Sequence, residues 1–171
     1  VPLSLFNLRK NDEFGIFEIG MDKKGEIDYL SKIIKPDVGV ITNISYAHIK
    51  NFKNIHQVAL AKSEIINNIK TNGFLVLNKD DKFYNLHKKI AKKKKINILT
   101  FSLKNKSADI FLKKIVKEKS KYKIFINIKK KQTYFYVRSI FENNLKNLLA
   151  AITIISIFKD TQKLNKNIFF D

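Results

Sequence analysis

The chain has 171 residues, 44% of them hydrophobic, enough for one folded domain with a sizeable core; it has no cysteine, which excludes disulfides, thiolate metal sites and cysteine nucleophiles. No apolar run reaches the roughly 18 residues of a membrane span, and no secretory leader is visible, so a cytoplasmic setting is expected. The formal net charge of +19 is almost wholly lysine, since Arg9 and Arg138 are the sole arginines among 34 basic residues; lysines spread over every segment read as solvated surface rather than as the arginine-rich footprint of a nucleic-acid reader.

Residues 1–9, with Pro2 near the start, read as loop or a short helical turn. Residues 14–19 (FGIFEI) read as a short apolar strand, with Glu18 at its end and Gly20 after it. Beyond a loop at 21–25, residues 26–35 read as a helix, with Ile27, Leu30, Ile33 and Ile34 at helical spacing and Pro36 closing it. Residues 38–42 are a second strand of the buried type. A loop carrying His48 then leads into a helix that ends near Asn72-Gly73. At about 100° per residue, Ile55, Val58, Ala59, Ile65, Ile66 and Ile69 share one stripe, and Lys62 falls in its middle. A lysine centred on an apolar face either snorkels to water or is placed there for chemistry. Residues 74–77 are a third strand. Asp80 or Asp81 caps a helix that runs to about Lys95, and residues 96–101 are a fourth strand.

After Ser102 the rhythm changes. Residues 109–117, 122–129 and 133–138 alternate apolar with polar, with turns at Lys119-Ser120 and Lys130-Lys131, which predicts an antiparallel ribbon. Residues 144–158 form an apolar helix buried on most faces. Residues 161–171 are polar with a late Ile168-Phe169-Phe170, and read as the start of a further segment. The expected fold class is therefore α/β: a mostly parallel sheet flanked by helices, with an antiparallel β-ribbon toward the C-terminal part.

In such a sheet, ligands sit beyond the carboxyl ends of the strands. Glu18 ends the first strand. Thr42 and Asn43 end the second, with His48 just after, and Asn78 and Asp80 follow the third. One acid, one imidazole and several amides thus converge on one edge, near Lys62. A carboxylate beside an imidazole suits a divalent metal with oxygen-rich ligation. Each residue also has a plainer reading. His48 could hold its loop by a structural hydrogen bond, and Glu18 could be a solvated strand end. Asn78, Asp80 and Asp81 could cap a helix. His56 and His87 are expected to have no role. Tyr134, Phe135 and Tyr136 could stack on bases, but only alternate ones share a face, so core packing is expected.

The strings FEIGMDKKGEI, PDVGVITNISYAHIKNF, ALAKSEI and FLVLNKDD, in that order and spacing, resemble the central ATPase domain of the Mur ligases. The opening VPLSL fits the stretch that follows the family's phosphate loop. Within the family the strings are most similar to the branch that adds D-Ala-D-Ala to UDP-N-acetylmuramoyl-tripeptide. The resemblance implies a P-loop NTPase-like central domain over residues 1–160, lacking its phosphate-loop strand, and a segment at 161–171 leading toward a C-terminal domain. It implies that Glu18 and His48 bind magnesium, two ions in all. Lys62 would be the lysine carbamylated by carbon dioxide, whose new carboxylate serves the metal. Asn144 and Asn147, in NNLKNLLAA, would contact adenine, and Asn43 would either contact the nucleotide or tie down its loop. Carbamate formation needs a neutral amine, which desolvation on an apolar face favours.

The implied reaction begins with ATP phosphorylating the terminal carboxylate of the UDP-linked tripeptide. The amine of D-Ala-D-Ala then attacks the acyl phosphate, in peptidoglycan synthesis. The alternatives are another Mur or folylpolyglutamate-type ligase, or a non-catalytic lysine-rich module binding nucleic acid. The chain departs from the family in three respects. None of its five glycines (Gly15, Gly20, Gly25, Gly39 and Gly73) begins a Gly-Lys-Thr or Gly-Lys-Ser. Phe141, Glu142 and Asn143 stand where the family usually carries Gly-x-His-Asn. The C-terminal domain that binds the incoming amino component is missing. The chain alone is therefore expected to be inactive, as a piece of a larger ligase cut at the front.

Overall fold

Six strands form one sheet in chain order: β1 (Val38–Ile41), β2 (Phe74–Asn78), β3 (Asn97–Ser102), β4 (Ile110–Glu118), β5 (Lys121–Ile128) and β6 (Lys131–Val137). They come from a computed structural model that describes residues 5–45 and 51–170. β1, β2 and β3 run parallel, with Val38 opposite Phe74 and Phe74 opposite Asn97. Parallel neighbours need crossovers, and helices supply them. α1 (Glu26–Ile34) leads into β1, α2 (Ile55–Ser63) joins β1 to β2, and α3 (Tyr84–Lys93) joins β2 to β3. β4 is a pivot. Its Ile110 and Phe111 pair parallel with Phe101 and Ser102 on one side, and on the other the strand pairs antiparallel with β5 from Ile110 to Glu118, with an irregularity between Leu112 and Lys114. α4 (Glu142–Phe158) returns across the sheet.

Both faces of the parallel half are covered, which explains its unbroken apolar strands. Leu75 and Leu77 of β2 pack with Ile27, Val58, Ala59 and Ala91 on the side of α1, α2 and α3. Val76, one residue out of phase, packs with Phe101, Leu149 and Ile152 on the side of α4. No helix among the described residues is long and apolar enough to cross a membrane.

Residues 14–19 are not a strand. They have no sheet pairing, Ile16 is 96% exposed and Phe14 52% exposed, although the Phe14 ring meets Phe158 at 5.2 Å. A strand exists only by hydrogen bonding to a neighbour, and β1 pairs with β2 alone.

The helix bearing Lys62 also departs from expectation. Asn54 caps it by accepting from the Gln57 N–H at 3.0 Å, and Gln57 accepts in return from the Lys53 N–H at 3.2 Å. After Ser63 the backbone tightens into a 3-10 turn, Glu64–Asn68. The stripe nevertheless reaches one core on both sides of the change: Val58, Ala59, Ile66 and Ile69 are buried in it and Ile55 and Ile65 pack half-buried against it, while Ala61 and Ser63 are buried as well. Glu64 is drawn away to α1, where its carboxylate accepts from the N–H groups of Gly25, at 2.9 Å, and Asp28, at 3.2 Å. Two of the orphan donors at the start of α1 are thus satisfied from across the fold.

Smaller differences have local causes. α3 starts at Tyr84, and Asp81 holds the turn before it by accepting from the Phe83 N–H at 2.8 Å. Asp80 instead turns to β3 and accepts from Ser102 Oγ at 2.6 Å and the Leu103 N–H at 2.7 Å. The second ribbon turn falls at Lys129-Lys130, where both residues have positive φ (47° and 73°) and so make the primed turn that suits a hairpin. Phe135 faces the core, while Tyr134 and Tyr136 lie half-buried on the other face. His87 is buried and its Nε2 lies 3.1 Å from the Ala59 carbonyl, so it links α3 to α2. The segment after α4 folds back, with the Lys166 carbonyl accepting from the Tyr136 N–H at 2.8 Å and the Phe169 ring 5.2 Å from Phe135.

Candidate functional site

The exit of β1 is the centre of the site. Two bonds pin its backbone. Asp81 Oδ2, from the loop after β2, accepts from the Ile44 N–H at 2.8 Å. Lys62 Nζ, from α2, donates to the Asn43 carbonyl at 3.2 Å. The Thr42 hydroxyl lies 3.4 Å from Asn43 Oδ1, which turns that side-chain oxygen toward the same exit.

Lys62 is half-buried, beside the fully buried Val58, Ala59 and Ala61. Its amine reaches past them to the end of β1. Burial pushes its pKa below the ordinary lysine range, and the charge of Asp81 opposes that shift. The population of neutral amine is thereby raised. His87, one helix away, is likewise held below its ordinary range, mainly by burial, with Ala59 and Asp81 opposing the shift and Lys62 reinforcing it.

A groove of about 1300 Å³ opens from this exit. Glu18, Asn43, Lys62 and Asn147 all line it, together with Thr42 and Asn143. Four of the residues singled out in the sequence thus share one cavity. Glu18 is exposed on its wall rather than sheltered by apolar flanks. Asn144 is not on the wall, because its Nδ2 donates to Ser139 Oγ at 3.1 Å, just before α4. His48 lies outside the described residues. Phe141, at the place where the resemblance puts Gly-x-His-Asn, is 78% exposed, and Glu142 pairs with Lys146 at 2.7 Å. That ammonium holds the Glu142 carboxyl below its ordinary range.

Among the described residues no group of three or more His, Cys, Asp or Glu could hold a metal. The donors on the groove are oxygens, from Glu18, Thr42 and Asn43. Oxygen donors suit magnesium, but an ammonium at Lys62 would repel it. Two functional placements were hidden in the sequence. Asp81 grips a residue 37 positions earlier, and Glu64, two residues after Lys62, caps a different helix. No local pattern signals either contact.

Residues 1–155 match the Mur ligase middle domain family. The chain is 35% identical over 154 residues to the UDP-N-acetylmuramoyl-tripeptide–D-alanyl-D-alanine ligase of Buchnera aphidicola subsp. Baizongia pistaciae, covering 90% of this chain and 33% of that protein. It is 34% identical over 156 residues to the enzyme of the same name from Rickettsia prowazekii, covering 90% of this chain and 35% of that one. Among solved structures, MurF from Acinetobacter baumannii superposes with a TM-score of 0.84 at 27% identity, over 94% of this chain and 35% of that chain. The chain thus spans about a third of the length of these relatives. Sequence match, sheet topology and the strings around Lys62 agree, and the chain belongs to the Mur ligase middle domain family.

Proposed function

We propose that this chain is the central, ATP-binding part of a cytoplasmic ligase that joins D-Ala-D-Ala to UDP-N-acetylmuramoyl-tripeptide. Residues 1–160 would be the nucleotide-binding domain without its phosphate-loop strand, and residues 161–171 would lead toward a C-terminal domain. The relatives named above carry that activity in their names. The observation that carries the reading is the half-buried Lys62 amine, held 3.2 Å from the Asn43 carbonyl on a groove it shares with Glu18.

Burial favours the neutral amine, whose lone pair can attack the carbon of carbon dioxide. An N–C bond forms, one amine proton leaves, and the product is a carboxylate at the exit of β1. Glu18, His48 and the carbamylated Lys62 would then hold two magnesium ions. Bound magnesium would screen the phosphates of ATP from the substrate carboxylate. Asn43 and Asn147, both on the groove, would offer amides to the nucleotide, and Asn144 would contribute by fixing the start of α4. ATP would phosphorylate the tripeptide carboxylate, and the D-Ala-D-Ala amine would displace the phosphate to leave the amide.

Lys62→Ala in the complete gene product is expected to lower ligase turnover at least ~100-fold, the upper range for lost metal-site partners, and a short carboxylic acid should restore part of it. Unchanged turnover would sink this reading. A lysine-rich module binding nucleic acid is the second reading. It draws on the ribbon, where Lys121 and Lys123 lie 3.6 and 4.1 Å over the rings of Tyr136 and Tyr134. Those ammonium groups occupy the ring faces on which bases would stack. This reading requires steep salt-dependent affinity for single-stranded DNA or RNA that Lys62→Ala leaves unchanged.

A further inference from the structure

The charge of the chain is lopsided in a way that its lysine total hides. Residues 82–141 hold 19 basic and two acidic residues, whereas the other 111 residues hold 15 and 13. Lysine is spread along the whole chain, but acid is not. A composition that drifted uniformly would not confine the imbalance to one stretch. Both acids of that stretch are already engaged. Asp109 accepts from the Thr100 N–H at 2.9 Å and from its hydroxyl at 2.6 Å, and Glu118 lies 3.9 Å from Lys123.

The stretch runs from just before α3 to just past β6. α1, α2 and α3 cover one face of β1, β2 and β3, and the core beneath them takes no residue from β4, β5 or β6. The ribbon buries its other face, with Ile124, Ile126 and Phe135 packed in one core with Leu149 and Ile152 of α4. On the α1–α3 side, no described helix therefore roofs the ribbon. A row of rings lies there instead. Phe125 is 6.0 Å from Tyr134, and Tyr134 is 5.7 Å from Tyr136. One ammonium sits over each ring: Lys114 at 4.7 Å over Phe125, Lys123 at 4.1 Å over Tyr134 and Lys121 at 3.6 Å over Tyr136. Attraction to the ring faces holds these cations in place on a broad sheet surface.

The chemistry of the face selects among anionic partners. Protein and nucleic-acid interfaces draw on arginine forks. The single arginine of the stretch, Arg138, is turned onto the Phe170 ring at 5.0 Å. The other basic residues are lysines, point charges that demand no fixed acceptor geometry. Such charges suit a surface whose anions are mobile and can gather beneath them. Tyrosine beside them suits a boundary that takes both an apolar ring and a hydroxyl. We infer that this ribbon face docks peripherally on an anionic phospholipid membrane surface. On contact the three ammonium groups swing from the rings to lipid phosphates, and the uncovered rings settle among the headgroups. Each lysine within a Debye length of the surface, about 8 Å at physiological salt, strengthens attachment about fivefold. The inference goes beyond the ligase reading and does not depend on it.

The test uses the complete gene product and sedimenting vesicles, either of phosphatidylcholine alone or of an equal mixture of phosphatidylcholine and phosphatidylglycerol. The protein should sediment with the mixture and not with phosphatidylcholine alone. Salt at ~1 M, where the Debye length falls to ~3 Å, should release it. Lys114→Gln, Lys121→Gln and Lys123→Gln together should weaken attachment on the order of 100-fold. Removing equal charge by Lys23→Gln, Lys24→Gln and Lys32→Gln should weaken it less than about fivefold, because these lysines lie in or just before α1, which leads into β1, four strand spacings of ~4.8 Å from β5. Tyr136→Trp reports position, and bromine-labelled lipid should quench the introduced indole once the parental emission is subtracted. No attachment to the mixture, equal losses in the two triple variants, or an unquenched indole overturns the proposal. So does a ribbon triple variant that loses single-stranded DNA or polyglutamate while keeping the vesicles, which identifies a different anionic partner. Ligase turnover, assayed without vesicles, is scored separately and should be parental in both triple variants. Attachment without turnover in the parent rejects the ligase reading and keeps the docking face, whereas turnover without attachment does the reverse.

Discussion

Under the proposed function, Lys62 would carry two duties that pull in opposite directions. As an ammonium it makes a good hydrogen bond to the Asn43 carbonyl and answers the charge of Asp81. As a buried group it is pushed toward the neutral form that can be carbamylated. Arginine could keep the first duty but not the second, because a guanidinium stays protonated. The same tightness is visible at Gly73, where a Cβ would lie 2.7 Å from the Asp37 carbonyl oxygen and 2.8 Å from that of Lys70. Backbone cannot step aside as a side chain can. At Gly39 the nearest atom, also at 2.7 Å, is the flexible end of Ile69. Gly73→Ala should cost about 1–3 kcal/mol, the usual range for overpacking, and Gly39→Ala less. Urea unfolding of the two variants measures the difference, and equal losses would contradict it.

At the scale of elements, α2 is the joint of the molecule. It meets α3 through His87 and α1 through the 3-10 turn that follows it. Burial holds the His87 imidazole below its ordinary pKa of about 6.5, although Asp81 and the Ala59 carbonyl favour the charged form. The unfolded chain therefore binds a proton that the folded chain resists. The stability this represents is complete above about pH 6.5 and is lost as the pH falls through the lower folded-state value. The urea midpoint should drop between pH 7.5 and 5.5, and His87→Gln, whose amide can still donate to Ala59, should flatten that slope. A variant with the parental slope would show that another group controls it.

The elements also separate what a sequence can reveal from what it cannot. β1, β2 and β3 were legible because burial on both faces leaves an unbroken apolar run, as in Phe74–Asn78. The ribbon was legible from its alternation. Residues 14–19 carry the same apolar signal, yet whether they form a strand depends on a neighbour, which composition does not encode. Lys62 stood out against its stripe, whose residues do share one core, but the α-helix itself ended early, tightening into a 3-10 turn at Glu64. Of the site, Glu18, Asn43, Lys62 and Asn147 line a common groove, although the strand that was to place Glu18 is not formed. The Asp81 grip on Ile44 spans 37 residues, and only three-dimensional packing creates it.

At the scale of the molecule, the groove is braced more fully on one wall than on the other. The β1 exit is braced by two hydrogen bonds, while Glu18 sits on a segment with no sheet pairing. No Gly-rich loop followed by Lys-Ser or Lys-Thr is available to cradle phosphates. The 171-residue chain by itself should release no phosphate from ATP above the uncatalysed background. Steady release dependent on Lys62 would contradict that outcome.

β4, which belongs to both halves of the sheet, sets the order in which the molecule assembles. The hairpins on its far side close two-residue turns, whereas Val38 must find Phe74 across 35 intervening positions. Short closures are entropically cheaper and faster, so the hairpins should nucleate and the parallel strands should be laid down from Ile110 inward. Pulse-labelled refolding should accordingly find amides of β5 shielded before those of β1, and simultaneous shielding would mean that the two halves condense as one.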